Sequence, residues 1–262
     1  MLQADAVDLA SHKPVLNFPA VGFYGATGWV RSFGDGSFGY FMAPERYWHW
    51  QGGNARPGEG GEPATYDIPL LVSSDGFNFS YLGERQPIAR PTLDSGIGNS
   101  RLWFTAPVTR GDEELFYLTR GNMNEDGEVA NSTDGTPKVY RSEVALGRLR
   151  IDGLYSLDSP YGKTANATTA PLVFSKGSDQ ISLNMDTSAG GSVTVMILTP
   201  AGERLLGPSI AYTHSSVRAK VEWPEVTGQP AGSTVLGELV EQPVVLHFEM
   251  EEVKLFSFRI HG

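Results

Sequence analysis

The sequence predicts an all-β protein built from two regions, and three observations carry that expectation. Glycine (31) and proline (17) are abundant across 262 residues while charged residues make up only 19%, a composition suited to many turns and few helices. The apolar runs are short. In the C-terminal region they alternate with polar residues at a period of two, as in strands with one buried face and one wet face.

The alternation is plainest after residue 146. Ile181, Leu183 and Met185 share one face, and Val193, Val195 and Ile197 repeat the pattern after Ala189-Gly190-Gly191, which reads as a turn. Val217, Ala219, Val221 and Trp223 alternate with Arg218, Lys220 and Glu222. Val244, Leu246, Phe248 and Met250 follow, and Phe256, Phe258 and Ile260 close the chain. Strands of this kind separated by turns predict an antiparallel two-sheet β-sandwich over 146–262.

Residues 1–145 read differently. Leu70-Leu71-Val72, Leu102-Trp103-Phe104-Thr105 and Leu115-Phe116-Tyr117-Leu118 lack clean alternation. Strands covered on both faces look like this, and propeller blades stack face to face. At roughly 40–50 residues per four-stranded blade, this region holds about three blades, a partial β-propeller. A closed propeller needs at least four, so the expectation is that another polypeptide or a symmetry mate covers its open edge, around Val15 to Val30.

Gly147-Arg148-Leu149-Arg150-Ile151-Asp152-Gly153-Leu154-Tyr155-Ser156-Leu157, with Thr169-Ala170-Pro171-Leu172-Val173-Phe174 and Leu255-Phe256-Ser257-Phe258, resembles the β-sandwich appended to five-bladed β-propeller glycoside hydrolases of the family 32 and 43 type. Val21-Gly22-Phe23-Tyr24-Gly25 is similar to a blade opening of that family. Ser73-Ser74-Asp75-Gly76-Phe77-Asn78-Phe79 followed by Arg85-Gln86-Pro87-Ile88 is similar to its aspartate-glycine turn and following arginine. Leu93-Asp94-Ser95-Gly96, then Gly111-Asp112-Glu113-Glu114-Leu115-Phe116-Tyr117, is similar to its last blade. The resemblance implies a carbohydrate-linked ancestry with the early blades missing from this sequence.

These enzymes work with two carboxylates, one protonating the leaving oxygen and one attacking or activating water. The asparagine-aspartate-proline nucleophile motif and the glutamate-cysteine acid motif of the sucrose- and fructan-cleaving relatives are absent, and Gly22 stands where the blade opening has aspartate. The expectation is a glycoside hydrolase-like protein that binds, or formerly cleaved, a carbohydrate and is not catalytic as this chain alone. The alternative is a structural or assembly subunit that docks through its sheets.

The candidate site residues follow from these readings. Asp94, at a blade start, is the candidate catalytic carboxylate, against a role as a turn cap. Tyr47, Trp48, His49 and Trp50 form the densest aromatic cluster, suited to stacking on a sugar ring or to wedging between sheets. Arg85 is a candidate for a sugar hydroxyl or a structural ion pair. Asp75 reads as a turn residue bonded to backbone amides, and Glu113 with Glu114 as a solvated pair beside the Arg110-Gly111-Asp112 turn.

The rest is exclusion. A net charge of −10 argues against nucleic acid and anionic membranes. With no cysteine there is no disulfide or thiolate metal site. The five histidines lack metal-ligand spacing, no cofactor motif is present, and no apolar stretch reaches a membrane span. Sequons at Asn78, Asn131 and Asn166 suit an extracellular or secretory-pathway chain, although Met1 to Phe18 lacks the basic and apolar segments of a signal peptide.

Overall fold

The computed structural model describes residues 7–8, 13–14, 20–33, 37–49, 65–83, 86–90, 101–121, 142–224 and 236–262. They are nearly all strand, and the helical stretch among them is 236–238. The chain divides into two compact units, Met1–Leu149 and Arg150–Gly262.

In the first unit, β1 (Val7–Asp8) and β2 (Lys13–Pro14) form a short ribbon. β3 (Ala20–Ser32) and β4 (Phe38–His49) form a long antiparallel hairpin with a bulge between Tyr24 and Ala26. β5 (Thr65–Pro69) and β6 (Leu71–Ser73) continue from β4 as one path broken at Leu70. β7 (Ser80–Tyr81) and β8 (Pro87–Ala89) flank them in turn. The break has a local cause: Pro69 sits opposite Pro87 at the register shift, and neither residue has an N–H to give the ladder. The result is an antiparallel meander of four successive paths.

A second meander follows. β9 (Arg101–Phe104) and β10 (Val108–Arg110) both pair with β11 (Glu113–Gly121), which is bordered by β12 (Ser142–Arg150). Where sequence length gave about three blades, the described residues form these two meanders and the ribbon.

An aromatic seam joins the meanders. Trp29 stacks on Phe41 at 5.5 Å, Phe104 lies 6.1 Å from Trp29, and Phe116 lies 4.5 Å from Phe104. Thr27 Oγ1 donates to the Phe104 carbonyl at 2.5 Å. This face of β11 is too crowded for β12 to bring a side chain at residue 147. A Cβ on Gly147 would come within 2.3 Å of the Phe116 ring.

The second meander corrects one expectation. Its apolar runs suggest cover on both faces, yet Leu102 and Phe104 are 1% and 4% exposed while Trp103 between them is 47% exposed. One face of this sheet is open.

The second unit is built on two strands of unusual length, β16 (Gln180–Leu198) and β19 (Pro243–His261), paired antiparallel from end to end. β13 (Leu157–Asp158), β14 (Thr164–Thr168) and β15 (Leu172–Val173) add to β19, while β17 (Arg204–Leu206) and β18 (Ser216–Lys220) add to β16.

The turn expected at Ala189-Gly190-Gly191 is not a turn. Residues 187 to 192 form a bulge inside β16, where Thr187 pairs with Val253 and Ser192 with Glu251. Gly190 adopts φ of +111° there, a conformation that an L side chain rarely takes. Bulges bend strands, and continuous strands that change layer at a bulge make the corners of a sandwich. Both halves of β16 and β19 feed one core that includes Ile181, Leu183, Val195, Ile197, Leu246 and Phe248. Arg218, Lys220 and Glu222 are exposed between buried Ala219, Val221 and Trp223.

Candidate functional site

The sequence candidates fall mostly outside the described residues. Trp50, Arg85 and Asp94 lie outside them altogether. Tyr47, Trp48 and His49 have their backbone on β4, opposite Gly22, Val21 and Ala20 of β3, and their side chains are outside the description. Gly22 therefore sits inside a paired strand, with no side chain to offer a substrate.

Asp75 closes the turn between β6 and β7. Its Oδ1 accepts from the backbone N–H groups of Phe77 and Asn78, both at 2.8 Å, and from the Ser73 hydroxyl at 2.8 Å. Asn78 Nδ2 donates to Oδ2 at 2.7 Å. These donors, led by the Asn78 backbone, hold the Asp75 carboxyl well below the usual carboxylate range. A lowered folded-state value contributes stability above the unfolded pKa of about 3.9, and that contribution is lost as pH falls through the folded value. The Asp75 carboxyl carbon is expected to keep its ionised NMR shift at pH 3. A titration midpoint near 4 would show that the turn does not hold.

The charged groups that the fold does bury lie in the first unit. Glu114 is fully buried, and the Arg31 guanidinium donates to its Oε1, while its Oε2 has no hydrogen-bond partner among the described residues. This corrects the reading of Glu113 and Glu114 as a solvated pair. Successive strand residues point to opposite faces, so only Glu113 faces outward, where Arg148 Nη2 meets both its oxygens at 2.7 and 2.8 Å. Arg46 and Asp67, opposite each other on β4 and β5, form a two-pronged ion pair at 2.7 and 2.8 Å. Burial works against the Arg46 charge, and the Asp67 bonds outweigh it, raising the guanidinium above its ordinary value.

Glu45 is a second buried carboxylate, 3% exposed. It stands on β4, and Glu114 on β11. Glu45 lies roughly 20 Å along β4 from Gly39, the residue opposite Arg31. Glycosidase carboxylates stand about 5–10 Å apart. Among the described residues, no group of three or more His, Cys, Asp or Glu side chains is placed to hold a metal ion. No helix among them is long and apolar enough to cross a membrane.

Depressions among the described residues of the second unit include a wide one and a narrow one. One of about 560 Å³ is lined by Lys176, Gly177, Ser178, Asp179, Val240 and Glu241 among others, with no aromatic wall. The other, about 40 Å³, lies where the Ile151–Asp152 turn meets β16 and β19, with room for about a single water. Two pairs of its polar groups bond to each other: Ser257 Oγ donates to Asp152 at 2.7 Å, and Ser182 Oγ lies 2.7 Å from His261 Nε2, while the buried Asn184 Oδ1 has no hydrogen-bond partner among the described residues. Both read as features of the fold.

The remaining feature is the open face of the second meander. Val108, Trp103, Tyr117, Val144 and Leu146 are 65%, 47%, 54%, 65% and 54% exposed. The register puts Val108 opposite Leu115 and Trp103 opposite Thr119, on the face that also carries Glu113 and Tyr117. Arg148, bound to Glu113, brings Val144 and Leu146, which share its face of β12, to the same side. The sequence reading missed this face. The chain matches no protein-family model, and no curated protein matches its sequence.

Proposed function

We propose that this chain is a non-catalytic assembly subunit of glycoside hydrolase-like descent, docking through the open face of β9–β12 onto another apolar β-sheet. The observation that supports this reading is the run of exposed apolar side chains on one sheet face, from Val108 and Tyr117 to Val144 and Leu146. Contiguous apolar faces of this kind mark interaction surfaces. A flat face with side chains at strand spacing suits another sheet, stacked about 10 Å away. Glu113 and Arg148 pair on this face, and Arg110, opposite Glu113 in the register, adds a cation that a partner can meet.

A second reading has its own support. Trp103 and Tyr117 are exposed on this face, and paired aromatic rings can stack on a sugar. The aliphatic side chains beside them favour docking, because a wet sugar hydroxyl gains nothing from Val144 or Leu146.

Purified under native conditions from its source, the chain is expected in a species larger than a single chain. Val144→Asp with Leu146→Asp is expected to release it as a single chain with unchanged circular dichroism. A single-chain species for the unaltered protein overturns the docking reading. If oligosaccharide also shifts tryptophan emission, the face belongs to the sugar reading.

A further inference from the structure

We propose that the occupant of the open face is another polypeptide, one that sets a carboxylate among its apolar side chains and lays it on Arg110; this rests on the docking reading above. The charges of the face carry the inference. Glu113 stands on the middle strand β11, with Arg110 opposite it on β10 and Arg148 beside it on β12. Arg148 Nη2 takes both Glu113 oxygens, at 2.7 and 2.8 Å. Arg110 is exposed, and its guanidinium has no hydrogen bond or ion pair among the described residues. Asp112 stands in the turn between β10 and β11, off the strand positions of the face. At this end of the sheet, two arginines on the strands therefore stand against one glutamate.

A partner that covered Arg110 with apolar surface alone would strand a cation. A carboxylate placed there accepts a two-pronged, charge-assisted hydrogen bond from the guanidinium. The group that rejects a wholly apolar partner thus selects one with an acid in the right place. The five exposed apolar side chains amount to on the order of 500 Å², short of the about 800 Å² that a standard interface takes from each side. The docked contact therefore extends over the arginine end. A second copy does not supply the acid, because Arg148 already holds the Glu113 of its face. The net charge of −10 repels a partner that is acidic throughout. The fit is to an apolar strand with a single aspartate or glutamate, spaced two residues from its apolar neighbours so that all share one face.

The species isolated under native conditions tests the inference. Its second polypeptide is separated and titrated back by calorimetry at roughly 20 mM salt, where surface charges are little screened. It is expected to bind Arg110→Gln at least fivefold more weakly than the unaltered chain. Arg110→Lys, which keeps the charge, should stay within threefold, and Lys163→Gln, at an exposed position in the second unit, should change nothing. Because the Arg110 side chain bonds to nothing in the described fold, each variant should keep the circular dichroism of the unaltered chain. A carbodiimide joins the amine of Arg110→Lys to a carboxylate in contact with it. Peptide mapping should find that link on an aspartate or glutamate of the second polypeptide. Equal affinity for Arg110→Gln and the unaltered chain, or a link to no partner carboxylate, overturns the inference. The docking reading then still stands if Val144→Asp with Leu146→Asp releases the partner. A second copy or a glycan in place of the second polypeptide also overturns the inference. A single-chain species overturns both.

Discussion

Arg31→Ala is expected to cost about 3–5 kcal/mol of stability, because it strands a charge that the fold has buried. Glu114 has no exposed side-chain surface, and Arg31, three-quarters covered, is the group that meets its Oε1. The guanidinium also lies 5.9 Å over the Phe41 ring, so its loss removes packing from the aromatic seam as well. Charge and packing are separated by a double variant. Arg31→Met with Glu114→Leu removes both charges and keeps most of the volume, and such replacements are neutral or stabilising where a buried pair is only partly satisfied. The unpartnered Glu114 Oε2 makes this pair of that kind. Urea unfolding, with amide exchange read in β3 and β11, checks both arms. A loss below about 1 kcal/mol for Arg31→Ala would place the pair among surface bridges, against the burial of Glu114.

The buried pair also shows where sequence reading runs short. The face of β11 with Glu114, Phe116 and Leu118 and the face with Glu113, Leu115 and Tyr117 have the same composition: one glutamate and two large apolar residues. Period two says that they point apart, but nothing in the residues says which one is covered. The structure decides it through Trp29 of β3, which meets Phe104, the ring against which Phe116 packs. β12 inverts the usual rule for the same reason. Its large side chains, Val144 and Leu146, face outward, while Ala145 and Gly147 fill the tight side against Phe116.

The second unit was far more legible, since its strands alternate apolar with mostly polar residues, most plainly from Val217 to Trp223. Its one misreading is instructive. Ala189-Gly190-Gly191 supplies the same positive-φ freedom to a turn and to a bulge. Only the partner strand, long enough to run past it from Val253 to Glu251, distinguishes them. The all-β class was readable from composition and alternation. The open sheet face was not, because exposure depends on which other strands fold back, and no local pattern encodes that.

Phe248→Ala is expected to destabilise the second unit by about 3–5 kcal/mol, the range for removing a buried aromatic ring. Phe248 is 2% exposed, pairs with Val195 in the first half of β19, and its ring lies 5.8 Å from that of Phe258. Its position makes the loss hard to absorb. β16 and β19 pair along their whole length, so the cavity lies among residues fixed by one continuous ladder and cannot close by sliding a short strand. Phe248→Leu, which leaves a smaller void, should lose less than half as much. Amide exchange in β16 and β19 should quicken together in Phe248→Ala, because the long ladder couples the two ends of the sandwich. Faster exchange confined to one half of β19 would mean that the bulge at residues 187–192 separates two independent layers, and the single-core description would fail.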